Sequence, residues 1–298
     1  MNDVQLNQRV TLKNILFPTD FSPATKWALP FVRKIAQEFH ANVTTLHVAV
    51  PDALTYMTPD SPKAAIESQQ EWALGEIKKV ETQLPGVCNH VVVRTGPDVW
   101  TVVKQLIQAD QIDLIIVGTH GLTGLPKLLM GSTAEEIFRR SSVPVLTIGP
   151  SARTDEETGA RWQHVIFASD FTAESRAAAP YAISFAEENN AQLTLVHVIG
   201  MRGSPEEERY AGVSVAEAMH QLDQIVPPAA ELWCRPETVV EHGDPATRIL
   251  AVAREKSADL IVLGIRNTSH VTLASHLEKS IAHTIVAHAS CPVLTVRS

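Results

Sequence analysis

The chain is poor in cysteine, in aromatic residues and in long apolar runs. Three cysteines occur in 298 residues, widely spaced at Cys88, Cys234 and Cys291. An odd, scattered set argues against a disulfide framework and against a C-x-x-C redox site, and it is typical of a protein in a reducing compartment. We therefore expect a cytoplasmic protein.

Basic residues are also fewer than acidic ones. The chain has 25 Lys and Arg against 33 Asp and Glu, a formal net charge of −8, and no Lys/Arg-rich block. Proteins that bind nucleic acid usually carry a basic footprint, so nucleic acid is not the expected partner. The longest apolar runs are strand-sized, well below the roughly 20 residues of a membrane span. The N-terminal residues MNDVQLNQRVTLKN have no h-region and no cleavage site, so no signal peptide is predicted.

The two halves of the chain have similar sequences. LKNILFPTDF and the residues after it align without a gap with WQHVIFASDF at an offset of 150, which matches Asp20 with Asp170. Further on, DLIIVG matches DLIVLG, and VPVLTI matches CPVLTV. Such an internal duplication predicts two similar domains. We place them at 1–150 and 162–298, joined by a polar linker at 151–161.

Each copy alternates short apolar strands with helices. The strands predicted in the first copy are Ile15–Phe17, Val43–Val48, His90–Arg94, Leu114–Val117 and Val145–Ile148. This alternation predicts an α/β fold, with two tandem, doubly wound, open parallel sheets. Ligands of such sheets lie beyond the carboxyl ends of the strands, at the switch point.

A glycine-rich stretch follows the fourth strand of the first copy. Gly118 and Gly121 bracket a dipeptide, and Gly131 directly precedes Ser132. Ser132 begins S-T-A-E, so we expect its hydroxyl to cap a helix while Glu135 reaches back to the cap. The free amides of the first turn, next to a residue without a side chain, predict a phosphate site. Turn-forming glycines are the alternative, and the Walker A and G-x-G-x-x-G patterns are absent.

The pattern G-x2-G-x9-G-S/T, followed by a helix and a P-V-L strand, resembles the nucleotide-binding signature of the universal stress protein (UspA-type) family. The resemblance implies two Rossmann-like, adenine nucleotide alpha hydrolase-like domains. It also implies ATP as the ligand, together with Mg²⁺. Subunits of that family pair through their last strands, so the two halves would form an intramolecular pseudo-dimer, and tandem chains could also associate as a homodimer.

The resemblance further implies a set of residues around ATP. Those at the adenosine end are Pro18, Thr19, Asp20 and, after strand two, Val48. Those along the ribose and phosphates are Val117, Gly118, His120, Gly121, Gly131, Ser132, Thr133 and Ala134. From its chemistry, a carboxylate at Asp20 should face the donors of the sugar or base, although Asp at this junction could instead cap the helix. His120 and Lys127 could each contact a phosphate or simply be solvated.

The second copy departs from this pattern. After Gly264, Asn267 stands for the second glycine and Lys279 for the third, while the serine is kept as Ser280. We expect Leu273–Ala289 to be one continuous helix, which would leave no free amides at the position of the phosphate. The second half is therefore predicted not to hold ATP in the family manner.

Four histidines of the second copy raise the question of a metal. They are His270, His276, His283 and His288. Their spacings differ from the three or four residues that place two ligands on one helix face, so no metal site is predicted.

Three functions remain open at this stage. The first is a nucleotide-dependent signalling or regulatory binding module of the stress response, with an unknown protein partner. The second is a slow ATPase or phosphotransferase, although the motif supplies neither a Walker B carboxylate nor an arginine finger. The third is a carrier of a non-nucleotide ligand between the second sheet and Pro205–Gln224. No catalytic residue is assigned.

Overall fold

A computed structural model describes nine parts of the chain. They are residues 9–50, 62–119, 130–152, 154–155, 159–160, 162–200, 214–227, 236–265 and 281–297. The chain divides into two compact units, of which the first is Thr11–Pro150 and the second contains Ser151–Ser298. The residues just before Thr11 go with the second unit, where the Val10 amide donates to Ser184 Oγ at 2.9 Å.

The first unit is a five-stranded parallel sheet with helices between successive strands. Its strands are β1 (Asn14–Pro18), β2 (Asn42–Ala49), β3 (Asn89–Thr95), β4 (Leu114–Gly118) and β5 (Val145–Ile148). Its helices are α1 (Pro23–Glu38), α2 (Pro62–Glu81), α3 (Val99–Ala109) and α4 (Ser132–Arg140). The strand order is β3-β2-β1-β4-β5, with every pair parallel. The predicted α/β class is confirmed, and β1 and β4 lie side by side where the order reverses.

The second unit repeats this arrangement. Its main strands are β8 (His164–Ala168), β9 (Gln192–Ile199), β10 (Glu237–His242), β11 (Leu260–Gly264) and β12 (Val293–Val296). The helices described in it are α5 (Ala173–Asn189), α6 (Val215–Asp223), α7 (Pro245–Glu255) and α8 (Ile281–His288). The order β10-β9-β8-β11-β12 is again parallel throughout. Of the continuous helix predicted over 273–289, only the part from Ile281 onward lies within the described residues.

The segment predicted as a polar linker contains two short paired strands. Strands β6 (Thr154–Asp155) and β7 (Gly159–Ala160) pair antiparallel, with Thr154 opposite Ala160. Two residues per strand are too few to produce an alternating pattern, which is why the polar composition of the segment did not predict them.

The central strands are buried on both faces. Ile15, Leu16, Leu114 and Ile115 of β1 and β4 are fully buried, as is the corresponding run in β8 and β11. Such strands read as continuous apolar runs because helices cover both sides of a parallel sheet. In the described parts of the chain, no helix combines the length and the apolar character that crossing a membrane requires.

Two helices begin at aspartates that sit at matching points of the repeat. The Asp98 carboxylate accepts from the Thr101 amide at 2.7 Å, and that of Asp244 accepts from the Thr247 amide at 2.8 Å. The backbone and hydroxyl hydrogen bonds from Thr101 hold the pKa of Asp98 below its usual value, and those from Thr247 do the same for Asp244. These caps fix the starts of α3 at Val99 and of α7 at Pro245.

A histidine at the amino end of β8 predicts pH-dependent stability of the second unit. His164 Nε2 lies 2.7 Å from Thr194 Oγ1, and burial, with the nearby Lys256 charge, lowers the pKa of His164. The unfolded chain therefore takes up this proton first as pH falls. The contribution of His164 to the free energy of unfolding is complete above about pH 6.5 and is lost toward the lower folded-state pKa.

The matching residue of the first unit, Asn14, supplies the variant that tests this. We expect His164→Asn to reduce the difference in unfolding free energy between about pH 5 and about pH 7.5, measured by urea denaturation of the full chain. Some pH dependence will remain because burial also lowers the pKa of His197. An unchanged pH profile in His164→Asn would contradict the assignment.

Candidate functional site

The junction between β1 and α1 forms one side of the site. Thr19 is buried at the end of β1, where its amide donates to Leu46 O at 2.8 Å and its hydroxyl lies 2.7 Å from Thr25 Oγ1. The Phe21 amide donates to Thr19 Oγ1 at 3.0 Å, and Phe21 has a φ of 61°. Left-handed backbone at a bulky residue is unfavourable, so the surrounding contacts must hold this turn in place.

A buried histidine supplies one of those contacts. His47 Nδ1 lies 2.9 Å from Thr19 O, and because a carbonyl oxygen only accepts, Nδ1 carries the proton. The His47 ring stacks on Phe21 with centroids 4.6 Å apart, and Trp72 of α2 meets Phe21 edge to face at 5.5 Å. Sequence reasoning did not assign a role to His47 or Trp72, although the match of His47 with His197 across the repeat was a signal.

Asp20 is exposed at this junction. Its Oδ1 accepts the Ser22 amide at 2.9 Å, while Ser22, and not Asp20, is the residue that precedes the first turn of α1. The alternative that Asp20 caps α1 directly is therefore wrong. Oδ2 has no hydrogen-bond partner among the described residues, which leaves an open carboxylate oxygen at the carboxyl end of β1.

The end of β4 forms the other side of the site. Val117 is buried, and the Thr119 amide donates to Ile148 O at 2.9 Å. A Cβ added to Gly118 would lie 2.6 Å from the Ala24 Cβ and 3.0 Å from its carbonyl oxygen. The absence of a side chain at Gly118 is therefore required by the close approach of α1, a reason independent of any phosphate.

Helix α4 begins at Ser132 as predicted, but its cap differs from the prediction. Gly131 is the capping residue, with φ −60° and ψ 147°, and Ser132 is the first helical residue. No side chain caps the helix, and Glu135 lies 3.8 Å from Arg139 instead of reaching back. The capping-box prediction is wrong because the chain enters the helix one residue earlier than a serine cap requires.

The amide of Gly131 has a hydrogen-bond partner within the domain. It donates to Thr119 O at 2.6 Å, which joins the start of α4 to the end of β4. The first-turn amides without a partner inside the helix are those of Ser132, Thr133 and Ala134. Ser132 and Thr133 are exposed, so their amides and hydroxyls are accessible to an anion at the positive end of the helix.

Several predicted site residues are placed differently or lie elsewhere. Val48 lies inside β2, not after it, and its Cγ1 is 3.8 Å from the position of a Cβ on Gly96. Pro18 is the last residue of β1. His120, Gly121 and Lys127 lie outside the described residues.

Comparison with known proteins identifies the family. The model of the universal stress protein family matches residues 11–149 and again residues 161–297. The chain belongs to the universal stress protein family. It is 24% identical over 302 residues to a universal stress protein of Mycolicibacterium smegmatis, covering 97% of this chain and 99% of that protein.

Two further relatives support this result. A universal stress protein of Methanocaldococcus jannaschii is 28% identical over 152 residues, which cover 50% of this chain and 88% of that protein. The crystal structure of a universal stress protein from Archaeoglobus fulgidus superimposes with a TM-score of 0.71 at 21% identity, covering 96% of this chain and 97% of that one. The predicted tandem architecture is confirmed by the two family matches.

The second universal stress domain uses its matching aspartate differently. Asp170 Oδ1 accepts the Thr172 amide at 3.1 Å and the Thr172 hydroxyl at 2.5 Å, and it also accepts from the Ser175 hydroxyl. In the first domain the residue that matches Ser175 is Thr25, which bonds Thr19 instead. The Asp170 Oδ1 therefore accepts three hydrogen bonds from its own chain, whereas the Asp20 Oδ1 accepts one, from Ser22.

Gly264, at the end of β11, is the counterpart of Gly118 and also packs closely against a helix. A Cβ on Gly264 would lie 2.3 Å from the Glu174 carbonyl carbon and 2.4 Å from the Ser175 amide nitrogen. The second domain thus keeps this glycine for helix packing even though its later glycines are replaced. Asn267, Lys279 and Ser280 lie outside the described residues.

The cations of α4 lie far from its first turn. Arg140 pairs with Glu136 at 2.5 Å and its guanidinium lies 5.3 Å from the Trp100 ring centroid, both near the C-terminal end of the helix. At a rise of about 1.5 Å per residue, Arg140 is about 12 Å along the axis from Ser132. Neither Arg139 nor Arg140 is positioned to neutralise charge developing on a terminal phosphate at the first turn.

The described histidines of the second domain do not gather around a metal position. His288 Nδ1 lies 2.9 Å from Thr284 O, within its own helix. Among the residues that the structure describes, no group of three or more His, Cys, Asp or Glu could hold a metal ion.

Proposed function

We propose that the first domain binds ATP and that the protein acts as a nucleotide-dependent regulatory module of the stress response. The observation that carries this proposal is the position of the first turn of α4. That turn is joined to the end of β4 through Thr119 and Gly131, and β4 is the neighbour of β1, which ends at the open carboxylate of Asp20. Anion donors and a carboxylate acceptor therefore follow the carboxyl ends of two neighbouring strands, which supports a site at the switch point of this sheet.

The two ends of this site suit the two ends of a nucleotide. The amides of Ser132, Thr133 and Ala134 would donate to phosphate oxygens, assisted by the helix dipole. Asp20 would accept from ribose hydroxyls or from the adenine amino group, because a carboxylate repels phosphate. Pro18, Thr19 and Val48 would line the adenosine end, and Val117, Gly118, His120, Gly121 and Gly131 the path between.

Mg²⁺ would arrive with the triphosphate and balance its charge. Hard oxygen ligands are its preference, and it usually keeps several waters. The Ser132 hydroxyl has no hydrogen-bond partner among the described residues, so it is free to coordinate the ion or to donate to a phosphate.

Regulation would follow from binding itself. ATP would tie the first turn of α4 to the β1 junction, and a partner that prefers this arrangement would bind more tightly when ATP is present. No chemical step is needed, which agrees with the distance of Arg139 and Arg140 from the first turn. The partner would be another protein of the same cytoplasmic compartment.

Titration of the full chain with ATP and Mg²⁺, followed by amide resonances, tests the proposal. We expect Ser132, Thr133 and Thr19 to shift, and the matching β8–α5 junction at Ser169 to stay unmoved. Absence of shifts at Ser132 and Thr133 would refute binding at this site. Multiple-turnover release of phosphate from the same samples would favour an enzyme over a binding module.

The paired aspartates give a mutational prediction. Asp20→Asn keeps an oxygen that can accept the Ser22 amide but loses the charge, so we expect ATP affinity to fall about 10-fold, the value of one charge-assisted hydrogen bond. Asp170→Asn is the matched control, and we expect it to leave ATP affinity unchanged. Isothermal titration calorimetry measures both, and equal losses in the two variants would contradict the inequality of the two domains.

A further inference from the structure

Strands β3 and β10 each pair with one described strand, so half of their backbone groups point away from that neighbour. In β3, Cys88 O accepts the Val43 amide and the Gly96 amide donates to Ala49 O. Because these groups alternate along a strand, the even-numbered residues of β3 bond to β2, and the amides and carbonyls of Val91 and Val93 point to the open edge. Among the described residues, no strand pairs with that edge.

The edge of β10 has the same geometry. The Gly243 amide donates to Ile199 O, so the odd-numbered residues of β10 bond to β9. The backbone groups of Thr238 and Val240 therefore point outward. No described strand pairs with this edge either.

The two edges differ in charge at equivalent positions, since β10 has two glutamates where β3 has a histidine and an arginine. The alignment of the two sheets matches His90 of β3 with Glu237 of β10, and Arg94 with Glu241. If β3 paired antiparallel with β3 of another copy, centred on Val92, His90 would lie opposite Arg94. If β10 paired in the same way with β10 of another copy, centred on Val239, Glu237 would lie opposite Glu241. Like charges such as those of Glu237 and Glu241 are destabilising when directly opposite each other in a sheet, and pairing β3 with itself gives Arg94 no carboxylate.

The two edges fit each other in an antiparallel register. With Val92 opposite Val239, the outward groups of Val91 meet those of Val240, and those of Val93 meet those of Thr238. The flanking pairs, His90 with Glu241 and Arg94 with Glu237, are then close, non-hydrogen-bonded pairs of the ladder.

Apolar side chains flank both edges. Leu74 of α2 is 44% exposed and lines a groove of about 320 Å³ along β3, together with Gln70 and His90–Arg94. On α6, Ala218 and Leu222 are buried with the spacing of Ala73 and Ile77 on α2, so Met219, 41% exposed, takes the position of Leu74. The register above brings Leu74 and Met219 to the same face.

We propose that β3 of one copy of the chain pairs antiparallel with β10 of a second copy, with Val92 opposite Val239. Glu237 already accepts from Lys256 Nζ at 2.5 Å through Oε1, and its Oε2, without a partner among the described residues, would receive Arg94. The proposal is independent of nucleotide binding.

Sedimentation equilibrium of the full chain over a concentration series tests the junction. We expect reversible association that weakens with added salt, because exposed ion pairs are screened. His90→Glu places a carboxylate opposite Glu241 and should raise the dissociation constant about 10-fold. Glu241→Lys removes the carboxylate that faces His90 and should also weaken association. The double variant His90→Glu with Glu241→Lys restores an opposite pair and should recover the original association.

Two further variants separate the junction from general charge effects. Lys26→Glu, at an exposed position of α1, makes the same kind of charge change away from both edges and should leave association unchanged. Val91→Pro removes an outward amide without touching the bonds to β2 and should abolish association while circular dichroism stays native. A chain that stays monomeric at every concentration, or single reversals that change nothing, or a double variant without recovery, would overturn the proposal.

Discussion

Gly131→Asp is expected to lower the affinity of the first domain for ATP by at least about 100-fold, which corresponds to about 2.7 kcal/mol. Gly131 is the capping residue of α4, and its backbone, at φ −60° and ψ 147°, suits an aspartate. The new carboxylate would accept the first-turn amides of Thr133 or Ala134, as Asp98 accepts the amide of Thr101, three residues on, in α3. It would therefore occupy the donors that a phosphate needs and repel the phosphate as well.

Gly131→Asn separates the effect of a negative charge from the effect of a side chain that occupies the first-turn amides. Asparagine is as good a cap as aspartate, but it is neutral, so we expect a smaller loss of affinity, about 10-fold. Both variants should retain the thermal stability of the wild-type chain or exceed it, because each adds a cap where no side chain provides one. If calorimetry found wild-type ATP affinity in Gly131→Asp, the first turn of α4 would not be the phosphate site.

Gly264→Ala is expected to destabilise the second domain by about 3 kcal/mol or more, at the upper end of overpacking substitutions. The added Cβ would lie 2.3 Å from the Glu174 carbonyl carbon, so β11 or α5 must move as backbone. Gly118→Ala should destabilise the first domain by less, about 1 to 3 kcal/mol, because its nearest atom, at 2.6 Å, is the Ala24 Cβ.

Gly75→Ala provides the control for both variants. Nothing lies within 4 Å of the added Cβ in the interior of α2, so the substitution should stabilise the first domain by about 1 kcal/mol. Native-state hydrogen exchange measures the two domains separately in one chain. If Gly118→Ala kept full stability and lost only ATP, Gly118 would serve the ligand alone and the packing explanation would be wrong.

Much of the fold could be predicted because the signals are local. The apolar runs in β1, β4, β8 and β11 mark buried parallel strands. The pairing of β6 with β7 could not be predicted, because two-residue strands have no period. The cap of α4 was assigned one residue late, since a serine followed by T-A-E satisfies the same pattern whether it precedes the helix or begins it.

The sequence by itself determined that the chain is a duplicated α/β protein with one intact glycine pattern, because repeats, periodicity and charge are properties of residues near one another in the chain. Only the tertiary structure decided what individual residues do. A side chain at Gly118 would collide with Ala24, and the Gly131 amide donates to Thr119 O. Asp170 Oδ1 accepts three hydrogen bonds from Thr172 and Ser175, whereas Asp20 Oδ1 accepts one, from Ser22. Gly118 and Ala24, like Gly131 and Thr119, are separated in the sequence, so such contacts exist only once the strands and helices have taken their places in the fold.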